Sequence, residues 1–406
     1  MQPNPQHLEA LQSLLLQRGD ARALARDAVA RAPDSAGAQL VEAVVLACSR
    51  DRRDFEAAGW AYARLCQLPM DERSRTHAAA LAAAIDGDLG RACAVYDRIL
   101  DDEPADLLAL WAAHILDYYL GNPERLRART SRVLQQWSQR REGYHAVLSM
   151  HAFALQECGD YDAAEEMALR ALELEPRDLR AQHALLHIHE MTGNAAGGIS
   201  CAARHIEQWG ADAGAGHHLW WHVALFMLAL ERPHAAVAIY DLRLRQDTLA
   251  ELIDAAALLW RLRLARFDVG ARFSALAESW APYAEDAHCA FNDLHATMAF
   301  AGAERWDLAQ RLLAAQERRL ARPGGANLDM TRLVGYPACR AIVLFAQTNF
   351  RGAEALLRSL PPVAHRIGGS HAQRDVLALT RAAALRYSRK VQGSSNDFVS
   401  QTLAAA

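Results

Sequence analysis

The chain has 406 residues, of which 52% are apolar and 23% charged, and its formal net charge is −4. This composition excludes a disordered chain, and a small negative charge without a basic block argues against a nucleic-acid partner. Lys390 is the only lysine, so arginine carries nearly all the positive charge. Abundant alanine and leucine favour helix over strand.

The cysteines and the chain start indicate the compartment. Seven cysteines are widely spaced and form no C-x-x-C pair, a pattern typical of a reduced, intracellular protein rather than a disulfide framework. The first residues lack a positive segment followed by an apolar core, and no uncharged apolar stretch reaches about 18 residues. We therefore expect a cytoplasmic protein with no membrane partner.

A repeat of about 34 residues organises the chain, and it is clearest between Ser149 and Pro176. Two helical patterns flank a Gly-Asp-Tyr turn there, and small residues fall where paired helices need close approach, at Ala164, Ala168 and Ala171. The segment resembles a tetratricopeptide repeat. Extended in both directions, this frame predicts that the first helix of each pair starts near residues 39, 73, 107, 145, 179, 217, 252, 290 and 334.

These helical pairs define the predicted fold class. We predict an all-α fold, a right-handed superhelix of antiparallel helix pairs, because no segment has the alternating period of a strand. The first linker-like stretch is Gly393–Asn396. The prediction is therefore one domain over residues 1–390, followed by a C-terminal tail at 391–406.

Histidines are concentrated on the predicted inner surface. In such an array the first helix of each pair faces inward, and its positions 2, 5, 9 and 12 share one face. In the repeat that starts at Leu179 these positions hold Arg180, His183, His187 and Glu190. The next repeat contributes His218 and Trp221 at positions 2 and 5, and His222 follows at position 6, nearer the surface that packs against neighbouring helices.

Other candidates come from later repeats. Trp260 takes an inward position, and His288 and His295 flank Asn292 and Asp293. A Gly-Gly-Ser turn late in the chain precedes three polar residues that are three and four apart, His371, Arg374 and Asp375. Any single helical histidine is more often a hydrogen-bonded structural residue, so the case depends on their alignment.

The aligned residues predict an enzyme or small-molecule binder with an inner pocket. The expected reaction is cofactor-free proton transfer, as in hydrolysis, elimination or cyclisation of a small polar metabolite. The proposed catalytic residues are His183, His187, Glu190, His218, Asp293 and His371. The proposed substrate-binding residues are Trp221, His222, Trp260, Asn292, Arg374 and Asp375. No Walker loop, G-x-S-x-G or Rossmann motif is present.

Two alternatives stay open at this point. In one, zinc is bound by His183, His187 and Glu190, with His218 or His371 as the fourth ligand. In the other, the protein is a non-catalytic scaffold for a protein or peptide, or a homo-oligomer. The Lys-based carboxylate clamp of many such scaffolds is absent, since the only lysine is Lys390.

Five segments together resemble the tetratricopeptide repeat protein 38 family. They are RAQHALLHIHEMTG, HHLWWHVALFMLALE, DAAALLWRLRLARFDVG, HCAFNDLHATMAF and IGGSHAQRDV. The resemblance covers most of the chain and implies a single helical superhelix. It implies no reaction that can be placed residue by residue. Glu231-Arg232-Pro233 departs from the usual Gly-Asp-aromatic turn.

Overall fold

The computed structural model describes the backbone of residues 5–210 and 214–404, and the side chains of residues 8–210 and 214–389. All regular elements in these ranges are helical. They are α1 (Pro5–Leu16), α2 (Ala21–Arg31), α3 (Ala36–Ala47), α4 (Arg52–Leu65), α5 (Glu72–Ile85), α6 (Leu89–Asp102), α7 (Leu107–Leu120), α8 (Pro123–Leu134), α9 (Tyr144–Glu157), α10 (Tyr161–Leu174), α11 (Leu179–Met191), α12 (Ala195–His205), α13 (Gly216–Ala229), α14 (Pro233–Arg243), α15 (Leu249–Leu264), α16 (Arg272–Trp280), α17 (Ala290–Gly302), α18 (Trp306–Leu320), α19 (Ala326–Met330), α20 (Tyr336–Ala346), α21 (Phe350–Leu357) and α22 (His371–Ala404).

Successive helices pack as antiparallel pairs, from α1 with α2 to α20 with α21. Each predicted first helix begins within three residues of an observed one, namely α3, α5, α7, α9, α11, α13, α15, α17 and α20. The predicted all-α solenoid is therefore confirmed. A further pair, α1 and α2, precedes the predicted frame, and a π-helical turn at Thr331–Gly335 joins α19 to α20.

The α9–α10 pair shows why the repeat pattern folds in this way. Ala164, Ala168 and Ala171 are fully buried on α10, where only a methyl group separates it from its neighbours. Gly159 makes the turn with a φ of 84°, which favours glycine. Because charged residues occupy the opposite face of α10, one side of each second helix stays in solvent.

Aspartates at the start of inner helices tie consecutive repeats together. Asp106 accepts a hydrogen bond from the backbone of α7 (3.0 Å to Ala109 N) and another from His77 Nε2 on α5 (2.8 Å). Asp178 does the same with the α11 backbone and His145 Nδ1 on α9 (2.8 Å). Burial alone would raise the pKa of Asp106, but the hydrogen bond from His77 holds this pKa below its ordinary value.

Early repeats touch late repeats, so the superhelix closes on itself. The backbone N–H of Ala326 donates to Gly87 O (2.9 Å), and that of Ala215 donates to Gln17 O (3.1 Å). The Arg50 guanidinium lies 4.2 Å from the ring centres of both Tyr119 and Phe291. The closed arrangement removes much of the inner surface from solvent.

The C-terminal helix α22 occupies that inner surface. Its Thr380 accepts a hydrogen bond from Trp260 Nε1 on α15 (3.0 Å), and its Gln373 accepts one from the Tyr118 hydroxyl on α7 (2.6 Å). The backbone N–H of His371 donates to Glu157 on α9 (3.3 Å). The start of α22 therefore bridges three inner helices.

The connection into α22 is a close-fitting Gly-Gly turn. Both Gly368 and Gly369 have positive φ, and a Cβ on Gly369 would overlap the Phe291 ring. The predicted tail, residues 391–406, falls where side chains lie outside the described residues, so its boundary stays a prediction. No helix in the described ranges has the length and apolar character needed to cross a bilayer.

We expect Gly369→Ala to destabilise the protein more than Gly159→Ala. The φ angle is 80° at Gly369 and 84° at Gly159, but a Cβ at Gly159 would meet nothing within 4 Å. The left-handed conformation costs about 1–2 kcal/mol in each variant, and the clash at Gly369 adds roughly 1–3 kcal/mol. Thermal unfolding followed by circular dichroism measures both. Equal losses in the two variants would contradict the close fit of this turn.

Candidate functional site

Two histidine pairs meet on neighbouring inner helices. His183 and His187 lie four residues apart on α11, and His218 and His222 lie four apart on α13, so each pair shares one helix face. The two helices pack against each other. One ring nitrogen from each of the four residues can be chosen so that all lie within 4.8 Å of one another. We call these residues the four-histidine cluster.

Carboxylates bind two of the four rings at Nδ1, the nitrogen on the side away from the other histidines. His222 Nδ1 donates to Glu190 Oε2 (2.6 Å), and His218 Nδ1 lies 3.0 Å from both oxygens of Asp254. A carboxylate at Nδ1 fixes the proton there and leaves Nε2 with a free lone pair. His222 Nε2 in turn lies 3.2 Å from His183 Nε2. The Nε2 lone pairs of both carboxylate-bound rings thus point away from the carboxylates, and that of His222 faces His183.

The other histidine on α11 lacks any partner. His187 is fully buried, and neither of its ring nitrogens forms a hydrogen bond within the described residues. Its ring lies 4.4 Å from that of His183 and 4.5 Å from that of His222. Burying an unsatisfied polar group costs about 1–3 kcal/mol. A ligand at the centre of the cluster would satisfy a nitrogen that the protein leaves unsatisfied.

The cluster is electrically suited to a cation. Burial, reinforced by repulsion among the imidazoles, lowers the pKa of His183, His187 and His222 well below the ordinary value. Neutral imidazole is the form that binds metals. Burial alone would raise the pKa of Asp254, but interaction with His218 lowers it. The cluster therefore combines neutral nitrogen donors with an ionised carboxylate behind one of them.

A cavity of about 500 Å³ adjoins the cluster at Glu190. Its walls are mainly apolar and come from α13, α15 and α22, with Leu225, Phe226 and Ala383 among them. Glu190 reaches both the cavity and His222, and burial raises its pKa to about 7. The cavity has the size and character of a small-molecule site.

Three predicted residues beside the cluster have defined positions. Trp221 is fully buried and stacks on His218, with ring centres 5.2 Å apart and planes 10° apart. Asp375 forms an ion pair with Arg261 at the cavity wall. Glu190, which is a predicted catalytic residue and a ligand only in the zinc alternative, accepts a hydrogen bond from Nδ1 of His222. The side chains whose ring nitrogens converge closely enough to hold a metal ion are those of the four histidines.

His371 and Arg374 anchor the start of α22. Arg374 Nη2 lies 3.6 Å from Glu157 Oε2, and His371 Nε2 lies 3.9 Å from the same oxygen. The His371 side chain is 46% exposed. These residues dock the helix that closes the site, and the four-histidine cluster does not include them.

The structure places Trp260, Asn292 and Asp293 apart from the cluster. Trp260 is fully buried in the core, where it donates to Thr380. Asn292 donates to the backbone oxygen of Arg50 (2.8 Å). Asp293 accepts from Gln316 (2.9 Å), and burial raises its pKa to about 7.

Sequence reasoning missed Asp254 and Arg261, which both lie on α15. Neither residue falls at an inward position 2, 5, 9 or 12, whether the count starts at the predicted residue 252 or at the observed Leu249. A better signal was available in the cluster itself. Two His-x-x-x-His pairs stand about one repeat apart, which is the spacing that brings them together on stacked helices.

No known protein-family profile matches this chain. Among solved structures, the crystal structure of the TPR domain of P58(IPK) is 16% identical and covers 96% of this chain and 99% of its own, with a TM-score of 0.23. A likeness this weak carries no argument. The assignment as an all-α solenoid of the tetratricopeptide type depends on the helix pairs themselves.

We expect Asp293→Asn to change how stability depends on pH. The pKa of Asp293 is about 7 in the folded chain and near 3.8 when unfolded, so the unfolded state loses its proton first as pH rises. Wild-type stability should then fall between about pH 4 and 7 by at most roughly 1.4 kcal/mol per pH unit. The variant lacks this contribution, so its free energy of unfolding should rise relative to that of the wild type as the pH increases across the interval.

Urea unfolding at pH 4, 5.5 and 7 measures this difference. The control is Asp329→Asn, which removes the same charge from a side chain that is 66% exposed. A difference between wild type and Asp293→Asn that stays constant with pH would show that Asp293 is not a buried acid.

Proposed function

We propose that this protein is a small-molecule-processing enzyme whose centre is a divalent transition-metal ion held by the four-histidine cluster. One observation carries the proposal: nitrogens of His183, His187, His218 and His222 lie within 4.8 Å of one another. Carboxylates behind His218 and His222 supply the outer hydrogen bonds that metal-bound histidines usually have.

The distances support this assignment. Zinc–nitrogen bonds of 2.0–2.1 Å in a tetrahedron imply about 3.3 Å between ligand nitrogens. The His183–His222 separation of 3.2 Å matches that edge. Separations of up to 4.8 Å would have to shorten by as much as about 1.5 Å through ring rotation on binding. Imidazole also suits iron, copper and nickel. Four histidines complete the shell of tetrahedral zinc but leave positions open on a five- or six-coordinate ion.

Glu190 is the residue that connects this centre to the cavity. A bound divalent ion would supply Lewis-acid chemistry or an activated water. Because the pKa of Glu190 is raised to about 7 by burial, its carboxyl group can take up or release a proton near neutral pH. The apolar walls would hold the body of the substrate beside it. Hydrolysis and elimination are the reaction classes that this arrangement favours.

A protein-binding scaffold is the second candidate, because helical-hairpin arrays of this kind commonly present binding surfaces. Here α22 already lies against the inner helices α7, α9, α11 and α15. A peptide ligand would have to displace this helix or use another face. The similarity to the tetratricopeptide repeat protein 38 family remains a prediction and supports neither candidate over the other.

Metal content is the direct test. Protein purified without a histidine tag or metal column should contain about one transition-metal ion per chain by inductively coupled plasma mass spectrometry. His187→Ala and His222→Ala should each lose most of that metal, because no other side chain can take the place of a missing histidine ligand in a buried site. His234→Ala, which removes an exposed histidine from α14, should keep it.

The protein can be stripped of metal with a chelator, freed of the chelator and titrated with zinc, cobalt, iron, copper, nickel or manganese. Failure to bind any of these ions would refute the metal centre. Cobalt substitution then separates a structural from a catalytic role. Intense visible bands would indicate a tetrahedral ion with a complete shell, whereas weak bands would indicate five or six ligands with room for a substrate.

Glu190→Gln tests the proton-transfer role. The amide keeps a hydrogen-bonding oxygen for His222 but cannot exchange a proton, so we expect the variant to retain metal. We expect its rate of p-nitrophenyl acetate hydrolysis to fall by about 10²–10⁴. Equal rates in wild type and variant, or a wild-type rate unaffected by chelation, would contradict the role.

A further inference from the structure

Arg180 is a buried cation without an ion-pair partner. It lies on α11, one helical turn before His183, and its side chain is only 5% exposed. Among the described residues no carboxylate approaches within ion-pair distance of its guanidinium, and its Nε lacks a hydrogen-bond acceptor. Every guanidinium N–H is a donor. The donors of this side chain are therefore available to a ligand.

The acid closest in sequence is already engaged. Asp178 Oδ1 accepts the backbone N–H groups of Arg180 (3.0 Å) and Ala181 (3.2 Å), and its Oδ2 bonds His145 Nδ1 (2.8 Å). Burial lowers the pKa of Arg180, while the charge of Asp178 raises it. Because both oxygens of Asp178 are already engaged by the helix cap and His145, this carboxylate does not accept a hydrogen bond from the Arg180 side chain.

A second buried polar group without a hydrogen-bond partner among the described residues lies on α7. His114 on α7 is 1% exposed, and neither of its ring nitrogens has a partner. Its ring lies beside Phe153, which in turn lies beside His183, one helical turn after Arg180. Burial lowers the pKa of His114, and repulsion from Arg180 lowers it further. The other arginine that acts on His114 is Arg129, which is already paired with Asp97 and Asp117 at 2.7 and 2.6 Å.

Phe153 connects this pair to the four-histidine cluster. Its ring centre lies 5.8 Å from that of His114, 5.8 Å from His183 and 5.7 Å from His187. A molecule held by Arg180 would therefore lie close to the proposed metal centre.

An unpaired buried charge is strongly unfavourable, and folded proteins rarely retain one without compensation. A carboxylate or phosphate would supply that compensation, because its oxygens match the planar fork of a guanidinium. An imidazole N–H from His114 could donate to the same anion.

We propose that Arg180 and His114 form an anion subsite that holds the carboxylate or phosphate group of the molecule processed at the four-histidine cluster. The substrate class is thus an anionic small molecule. This assignment of a substrate builds on the proposed metal-dependent function, but the anion subsite itself can be tested without any activity.

Calorimetric titration of the wild-type protein with inorganic phosphate, and separately with sodium acetate, tests the subsite at constant ionic strength. We expect binding of at least one of the two anions, and which one binds distinguishes a phosphate from a carboxylate ligand. Arg180→Met should weaken that binding by about tenfold or more, the loss expected for a charged hydrogen bond. The surface control Arg245→Gln should bind as the wild type does.

Thermal unfolding gives a second test, in which Arg180→Met is expected to raise the unfolding temperature although it weakens anion binding. In anion-free buffer Arg180→Met should unfold at a higher temperature than the wild type, because it removes an uncompensated buried charge. A purely structural arginine would give a lower temperature. If Arg180→Met fails to fold, His114→Gln carries the same binding test.

The outcomes separate this inference from the proposed function. Metal in the wild type with no binding of either anion, or binding unchanged in Arg180→Met, overturns the subsite and leaves the metal centre intact. Anion binding that depends on Arg180, in a protein that binds no metal, supports the subsite and overturns the metal centre.

Discussion

The interaction on which the site depends is the docking of the C-terminal helix along the inner surface of the superhelix. An open array of helical hairpins would leave its inner histidines in water, where they would titrate normally. Contacts of α22 with Tyr118, Glu157 and Trp260 cover that surface. The consequence is a low-dielectric interior in which imidazoles stay neutral and a carboxylic acid such as Glu190 keeps its proton up to about pH 7.

Histidine serves two different purposes in this chain, and the partners of the ring nitrogens distinguish them. His77 and His145 each bond a helix-capping aspartate of the next repeat, which joins consecutive pairs. In the four-histidine cluster the rings face one another, and neither nitrogen of His187 has a hydrogen-bond partner in the part of the chain that the structure describes. A structural histidine forms hydrogen bonds with its neighbours. In the cluster, two of the four N–H groups donate to carboxylates, so four ring lone pairs are left with only two N–H donors.

Much of the fold could be predicted from sequence because each repeat carries local signals. Small residues such as Ala164 and turn glycines such as Gly159 fix where helices begin and pack, and they need no knowledge of distant residues. The inward histidines of α11 followed from the same frame. Long-range features had no such signal: the docking of α22, the closure at Arg50, and the roles of Asp254 and Arg261 depend on contacts between repeats far apart in the chain. Asp293 was assigned to the site because a carboxyl group beside histidines suggested chemistry, yet its partner is a core glutamine.

The Gly368-Gly369 turn and the helix after it have a consequence for biosynthesis. Ribosomes make α22 after the repeats that precede it, so these repeats can emerge and pair before the helix that completes the cavity exists. Leu379, Ala382 and Ala383 of α22 form one side of that cavity. A polypeptide still attached to the ribosome, or one released early by a premature stop codon, would carry all four histidines of the cluster around an unsealed interior. The cavity thus requires α22 as well as the helices that carry the four histidines.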